Sequence, residues 1–433
     1  MLPNEDKLQI VTTYRVLGEK GEAMKTAFDK PMSDEWTSRA LAHAIYGGAD
    51  FGECTTTAGR VAIGDADSWY REWNATADRV SAIGEASEAK GHKVSAREAY
   101  LRASNYYRTS YPFFYGAPVD PRLVEAFDKE AAAFRRAAAL FEPPVEPVEI
   151  PYEGATLPGY FYRVDDSNER RPTLIATNGY DSTIHEMHFA HAVSAVRRGY
   201  NCLTFDGPGQ GRALIKQNLH MRADWENVVT PVVDYALSRP EVDPGGIALT
   251  GWSFGGYLAP RAASGEHRLA ACIADPGQWD MLEAVKGMFV KFSVPQEIVD
   301  RLPNVDPKAL QPVFDAVEKS PQLNWTLKQR NLWVHGLDSM MDFVRITPQY
   351  SVSDRADEIR CPTLITWAET DPVAGDAEKL YEALTSQKTL LRFTNEEGAG
   401  GHCEMSARTL FHQRAFDWLD EVLRSPAIAH KYA

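Results

Sequence analysis

Residues 246–257 read Gly-Ile-Ala-Leu-Thr-Gly-Trp-Ser-Phe-Gly-Gly-Tyr, a short apolar run that ends in Gly-x-Ser-x-Gly, with glycines at 251, 255 and 256. The pattern predicts a nucleophile elbow: a serine in strained backbone at the tip of a sharp turn from strand to helix. Strand and helix pass so closely there that the residues two before and two after the serine must be small. Gly251 and Gly255 meet that demand around Ser253. The pentapeptide alone also occurs in ordinary glycine-containing loops. The apolar run before it and the helix-compatible stretch from Tyr257 to Ala263 supply the context the elbow needs.

Outward from this turn, short apolar runs alternate with helical segments. Thr173 to Thr177, Cys202 to Phe205, Ile247 to Leu249, Ala270 to Ala274, Thr363 to Trp367 and Thr389 to Phe393 have strand character. Val148 to Tyr152 and Leu157 to Val164 predict a hairpin turning near Glu153-Gly154. Such alternation implies an α/β fold with a mostly parallel sheet covered on both faces.

The first 141 residues differ, carrying helical signals and almost no strand alternation. Ser95-Ala-Arg-Glu98 forms a capping box, and Asp120-Pro121 opens a helix whose Leu123, Phe127, Ala131 and Phe134 recur at spacings of three and four. Trp69, Tyr70, Trp73, Tyr100, Tyr106, Tyr107, Tyr111 and Phe113 to Tyr115 either pack a helical core or line a pocket. Three prolines in Glu142-Pro-Pro-Val-Glu-Pro147 forbid helix and predict a linker. Between Asp275 and Tyr350 the alternation lapses again, with Trp279, Trp325, Trp333, Met281, Met288, Met340 and Met341, as in a lid over a pocket or a plain helical excursion. The expected organisation is an N-terminal helical domain at 1–145, a first half of the hydrolase core at 146–275, a helical cap at 276–350 and a second half of the core at 351–433.

With 60 acidic against 46 basic residues in 433, the net charge of −14 argues against nucleic acid as a partner. Cys54, Cys202, Cys272, Cys361 and Cys403 are odd in number and form no Cys-x-x-Cys pair; Cys202 and Cys272 lie in strand-like runs as buried thiols. The chain does not open with a basic segment followed by an apolar one, and no 18-residue apolar stretch occurs. These features predict a soluble cytoplasmic protein with no membrane partner.

A serine hydroxyl needs a base to take its proton, and the base needs a third group to hold its tautomer. In this fold class the order is serine, acid, histidine, each in a loop after a later strand. After Thr363 to Trp367 comes Ala-Glu-Thr-Asp-Pro-Val, offering Asp371, with Glu369 as its rival and a plain turn as the alternative. Beyond the next strand-like run, Gly398-Ala-Gly-Gly-His-Cys403 presents His402 on a flexible loop, whereas His412 and His430 lie in helical and tail contexts. The oxyanion needs two N–H donors, expected from Phe254 and from Tyr180 in Asn178-Gly179-Tyr180. Gly207-Pro-Gly-Gln-Gly211 fits no phosphate-loop or dinucleotide pattern and predicts a tight turn beside the pocket; His185, His188 and His191 spread over a helical arc and predict no metal.

Asn-Gly-Tyr-Asp-Ser-Thr (178–183), Asp-Gly-Pro-Gly-Gln-Gly (206–211), Gly-Trp-Ser-Phe-Gly-Gly-Tyr (251–257) and Gly-Ala-Gly-Gly-His-Cys (398–403) resemble the FrsA-like α/β-hydrolases, of the 2,6-dihydroxypseudooxynicotine hydrolase and fungal polyketide-shortening type. Gly64 to Trp73 and Arg102 to Arg108 resemble that family's helical region, so the similarity spans most of the chain. It implies a homodimer that cleaves a carbon–carbon bond next to a ketone in a small molecule, under a helical cap, without metal or organic cofactor. It implies Ser253, Asp371 and His402 as triad, and Asp181 as an auxiliary acid, unless Asp181 only caps the helix that follows. The alternatives are a carboxylesterase, a prolyl-oligopeptidase-type peptidase and a non-catalytic ligand-binding pseudoenzyme. The absence of blade-length repeats in the first 145 residues weighs against the peptidase.

Overall fold

The computed structural model describes residues 31–423. The opening residues and His430, both part of the sequence reading, lie outside that range. Helices occupy the first described part: α1 (Pro31–Ala42), α2 (Phe51–Ala58), α3 (Ala66–Glu88), α4 (Lys93–Ser110) and α5 (Pro121–Ala139). At α5, Asp120 accepts from the Arg122 amide at 2.8 Å while Pro121 fills the first turn, where its missing N–H costs nothing. Leu123, Phe127 and Phe134 are buried; Ala131 sits at the margin of the stripe and Ala133 turns inward instead.

The α4 start corrects the capping-box expectation. The helix begins at Lys93, two residues before Ser95, and its N-cap His92 makes no side-chain cap. The turn from α3 sets this start: Gly91 takes a φ of 77° and the His92 amide bonds the Ser87 carbonyl at 2.9 Å, so the chain re-enters helix at once. The aromatic residues form core rather than pocket, with Trp69, Trp73, Tyr100, Tyr106 and Tyr111 no more than 1% exposed.

The proline-rich linker folds back on α5 through a Val145 to Ala138 bond of 3.0 Å and runs into an eight-stranded sheet. Its strands are β1 (Glu146–Tyr152), β2 (Ala155–Tyr162), β3 (Arg171–Thr177), β4 (Asn201–Phe205), β5 (Val242–Trp252), β6 (Ala271–Asp275), β7 (Thr363–Ala368) and β8 (Lys388–Phe393), in the spatial order β1-β2-β4-β3-β5-β6-β7-β8. The β1–β2 hairpin pairs antiparallel at one edge, β2 pairs antiparallel with β4, and β3 through β8 run parallel. Pro147 and Pro151 are tolerated in β1 because an edge strand can turn a missing donor to solvent. The inner strands β4 and β6 are buried at every position, as expected of a sheet covered on both faces.

Between β6 and β7 the chain leaves the sheet in a helical excursion that includes the helices Met281–Lys291, Gln311–Lys319, Arg330–His335 and Met340–Ile346. Its two ends meet in a short antiparallel neck: Asp280 bridges Ser351, the Met281 amide bonds Tyr350 O and the Val352 amide bonds Trp279 O. Val285, Phe289, Val299, Leu310, Val313 and Phe343 give the excursion a small core of its own. Trp325 and Trp333 face away from it: the Trp325 indole donates to Pro112 O at 2.9 Å, and Trp333 packs on Tyr115 at 5.5 Å between ring centroids.

Candidate active site

The strand β5 ends at Trp252, and Ser253 follows with a φ of 61°, in the left-handed region. Close packing and hydrogen bonds hold that conformation. A Cβ on Gly251 would lie 1.8 Å from the Gly255 carbonyl oxygen, so only glycine lets the strand pass the first turn of the helix Gly255–Ala263.

 The Ser253 amide donates to Asp275 O at the end of β6 at 2.8 Å. Its carbonyl accepts from the Gly256 amide at 2.8 Å and from the Gln278 side chain at 2.6 Å. Strained backbone of this kind persists where its surroundings over-determine it. Gln278 belongs to no motif, and nothing in the sequence signals its role.

Asp371 lies three residues past the end of β7, with its side chain fully buried. The neighbouring Thr370 donates from its amide and from its hydroxyl to Gly400 O, at 2.8 and 2.7 Å, and so docks the glycine-rich loop against this turn. That docking brings His402 between acid and alcohol: Nδ1 lies 2.9 Å from Asp371 Oδ2, and Nε2 lies 2.9 Å from Ser253 Oγ. A carboxylate facing Nδ1 keeps the proton on that nitrogen and leaves Nε2 to accept from the serine hydroxyl. Glu369, the rival acid, is exposed and accepts from the Asn395 amide at 2.7 Å instead.

Beneath this series lies a buried group that the sequence did not announce. Arg408 donates to Asp275 Oδ2 at 2.7 Å and to Cys403 O at 2.8 Å, tying the residue after His402 to the strand that holds the Ser253 amide. Glu404 stands alongside with no exposed surface; burial and then the nearby Asp275 push its carboxyl well above the usual range. Among the described residues, Asp371, His402 and Cys403 are the one group with metal-ligand spacing. Burial pushes the Cys403 thiol up, away from the thiolate a metal prefers, and His402 Nε2 is already turned to Ser253. His185 bonds Glu130 at 2.8 Å, His188 stacks on Tyr162, and His191 meets Trp252 edge-on, so the three face different neighbours.

The loop 178–182 runs beside the elbow. A Cβ on Gly179 would lie 2.7 Å from Ser253 Cβ and 2.9 Å from the Phe254 amide nitrogen, which shows how closely the two backbones approach. The Tyr180 and Phe254 rings stack at 4.7 Å. The Asp206 motif does more than make a tight turn. Asp206 accepts from the Asn178 side chain at 2.7 Å and from the Ile184 and Arg212 amides at 2.9 Å each. Gln210 donates to Asn178 O at 2.6 Å. Burial pushes the Asp206 carboxyl up to about 7, against the pull of the Arg212 amide and His185.

The same loop is held from two other sides. From the N-terminal helices, Arg108 and Tyr115 donate to Asp181 O at 2.9 and 3.2 Å. From the excursion, Arg330 donates to Asp181 Oδ2 at 2.7 Å, and His335 is hydrogen-bonded to the Tyr180 hydroxyl. Asp181 therefore does not cap the following helix; Thr183 does. Arg108 also joins Arg39 and His43 on the buried Glu186. Burial alone would raise that carboxyl; Arg108 and Arg39 outweigh it and hold it well below the usual range. A cavity of about 520 Å³ opens beside His335 and Tyr350 and touches none of Ser253, Asp371 or His402.

Fold and site together define a hydrolase of the α/β class. The chain belongs to the Alpha/beta hydrolase family, whose model matches residues 174–411, and it is an enzyme of that family. It is 35% identical over 412 residues to "Hydrolase acrC" of Aspergillus aculeatus, covering 88% of this chain and 94% of that protein. It is 35% identical over 404 residues to "20-hydroxy-prefusarin hydrolase FUS2" of Gibberella moniliformis, with the same two coverages, 88% and 94%. Its fold matches the crystal structure of 2,6-dihydroxy-pseudo-oxynicotine hydrolase with a TM-score of 0.70 at 22% identity, over 89% of this chain and 96% of that one. No described helix is long and apolar enough to cross a membrane.

Proposed function

We propose that this enzyme is a cofactor-free serine hydrolase that cleaves a carbon–carbon bond next to a ketone in a small, aromatic or ketonic molecule. The observation that carries the reading is the unbroken series from Ser253 Oγ to His402 Nε2 and from His402 Nδ1 to Asp371, each step 2.9 Å. His402 takes the proton as Ser253 attacks the carbonyl carbon, and Asp371 holds the imidazole and stabilises its charged form. The Phe254 and Tyr180 amides hold the oxyanion. Collapse of the tetrahedral adduct leaves an acyl-Ser253, which water hydrolyses with His402 again as base.

The resemblance noted from the sequence motifs supports a carbon leaving group, and the names of one relative, a 20-hydroxy-prefusarin hydrolase, and of one structural neighbour, a 2,6-dihydroxy-pseudo-oxynicotine hydrolase, support a small organic substrate. Ester cleavage would use the same three residues without further help, so activity on a 1,3-diketone separates the two reactions. In this reading the helices over 281–349 act as a lid, and Asp181 is the auxiliary acid that assists departure of a carbon leaving group.

Ser253→Ala lowers kcat by about 10⁴ to 10⁶ and abolishes labelling by a fluorophosphonate probe. Turnover retained by that variant rejects the scheme, and failure of the unmutated enzyme to take the label points to a ligand-binding protein instead.

A further inference from the structure

We propose that His335, carried by the helical excursion, is a positioning residue for the oxyanion donor at Tyr180: it captures the Tyr180 hydroxyl and completes the oxyanion site only while the excursion is seated. This inference rests on the donor role given to the Tyr180 amide above. That amide belongs to the peptide joining Gly179 to Tyr180, and Gly179 has no side chain by which the peptide could be fixed. The Tyr180 ring is the handle.

Its face stacks on the Phe254 ring at 4.7 Å, so the residues that supply the two donors are packed on each other. Its tip meets His335, whose Nε2 is hydrogen-bonded to the hydroxyl. A ring held at both face and tip leaves the backbone behind it little room to turn.

The direction of this contact follows from its far end. The Tyr350 hydroxyl donates to Met221 O at 3.2 Å, which leaves its oxygen to accept from His335 Nδ1 at 2.8 Å. A neutral imidazole carries one ring proton, so Nε2 is the acceptor and the Tyr180 hydroxyl the donor. The surroundings favour both of these forms. Burial, and then the neighbouring His220, push the His335 imidazole down to about 3, and burial holds the Tyr180 phenol well above its usual value. The series thus runs from Tyr180 through His335 and Tyr350 to the Met221 carbonyl, each hydroxyl donating once.

Separate segments have to meet for it to form. Tyr180 lies past the end of β3, His335 closes the helix Arg330–His335, and Tyr350 stands in the neck of the excursion. Met221 grips the excursion by both of its backbone groups, its amide donating to Val334 O at 2.9 Å while its carbonyl takes the Tyr350 hydroxyl. Directly after His335, Gly336 turns the chain at a φ of 64°, so close to His220 that a Cβ there would lie 2.7 Å from that ring. A molecule too large for the excursion to seat over it therefore meets an aligned triad but a loose oxyanion donor.

The test uses the full chain with His335→Asn, with His335→Gln, with Tyr180→Phe, and with His335→Asn and Tyr180→Phe together; thermal melting verifies folding. An asparagine amide reaches the place of Nδ1 and keeps the bond to Tyr350 while removing the acceptor, whereas a glutamine amide reaches the place of Nε2 and keeps the acceptor. The readouts are kcat and KM on p-nitrophenyl acetate and 1-phenyl-1,3-butanedione, and the rate at which a fluorophosphonate labels Ser253. His335→Asn and Tyr180→Phe each lower kcat and the labelling rate by about 10- to 10²-fold with KM little changed, on the scale of a donor displaced rather than removed. The doubly substituted enzyme loses no more than either single variant, and His335→Gln recovers most of the loss.

Losses that multiply when the two are combined, a His335→Gln enzyme as slow as His335→Asn, or full activity in folded Tyr180→Phe overturn the proposal. Should His335→Asn not fold, Tyr180→Phe, which keeps the ring and its stacking, decides in the same way. Ester cleavage without diketone cleavage overturns the carbon–carbon reading alone, because the oxyanion forms with either leaving group. An unmutated enzyme whose Ser253 takes no label overturns the serine mechanism, and the role of His335 with it.

Discussion

The elbow at Ser253 and the loop 178–182 are neighbours that reach their shapes by opposite means. The elbow is dictated chiefly by sterics: a glycine where a Cβ would meet backbone at 1.8 Å, and a serine whose backbone is bonded by Asp275 at the end of β6, by Gly256 and by Gln278 just past that strand. The loop is held by residues from the N-terminal helices, the strand β4 turn and the helical excursion. A turn set by sterics is robust and blind to the rest of the molecule, whereas a loop set by distant side chains reports on whether those parts are docked.

The largest effect is expected at the elbow. Gly251→Val places atoms inside the Gly255 carbonyl and costs more than about 4 kcal/mol, read as loss of the folded protein in thermal unfolding. A stable, active variant would show that the turn is less constrained than its contacts imply.

Next comes the Glu186 cluster, which shares Arg108 with the loop. Removing one partner of a buried ion pair costs about 3 to 5 kcal/mol, the expectation for Arg108→Met in chemical unfolding. Because Glu186 titrates lower in the folded protein than in the unfolded chain, its contribution is fully present above its unfolded value, about 4.3, and is lost as pH falls through the folded one. Unfolding free energy should therefore drop on acidification below about pH 4, and Glu186→Gln should flatten that drop.

Asp206→Ala tests the brace from the sheet. It should lower kcat by about 10²-fold with KM little changed, on the scale of losing one oxyanion donor. An equal change in KM would mean that the brace shapes the pocket rather than the donor. The smallest effect is expected from Arg330→Met, which removes a partly exposed pair worth about 1 kcal/mol and should cost less than about 10-fold in kcat.

The sequence made legible what depends on local rules. Gly251 and Gly255 around Ser253, Asp371 after a strand end, and His402 among glycines are all read from residues close in the chain, and the structure brings the three side chains together. The eight strands were legible from their apolar runs, and β5 only proved longer than its hydrophobic centre. What stayed hidden depends on tertiary contacts. The residues around Asp181 left a helix cap open beside the auxiliary acid that the resemblance implies; Thr183 takes the cap, and Arg330, 149 residues away, takes the carboxylate. Ser95 matched a capping box, but the Gly91 turn starts α4 earlier. Gln278 and Arg408 carry no pattern, since each matters only through partners that folding supplies.

The Asp280–Ser351 bridge carries a consequence for how such enzymes diversify. The excursion departs and returns at adjacent points and contains its own apolar centre, so it can be exchanged as a unit without disturbing the strand ends that bear Ser253 and Asp371. The grafted segment would have to bring equivalents of Trp325 and Trp333, the side chains by which it grips the N-terminal helices. On the proposed reading, substrate range can then change by cassette while Ser253, Asp371 and His402 are inherited intact.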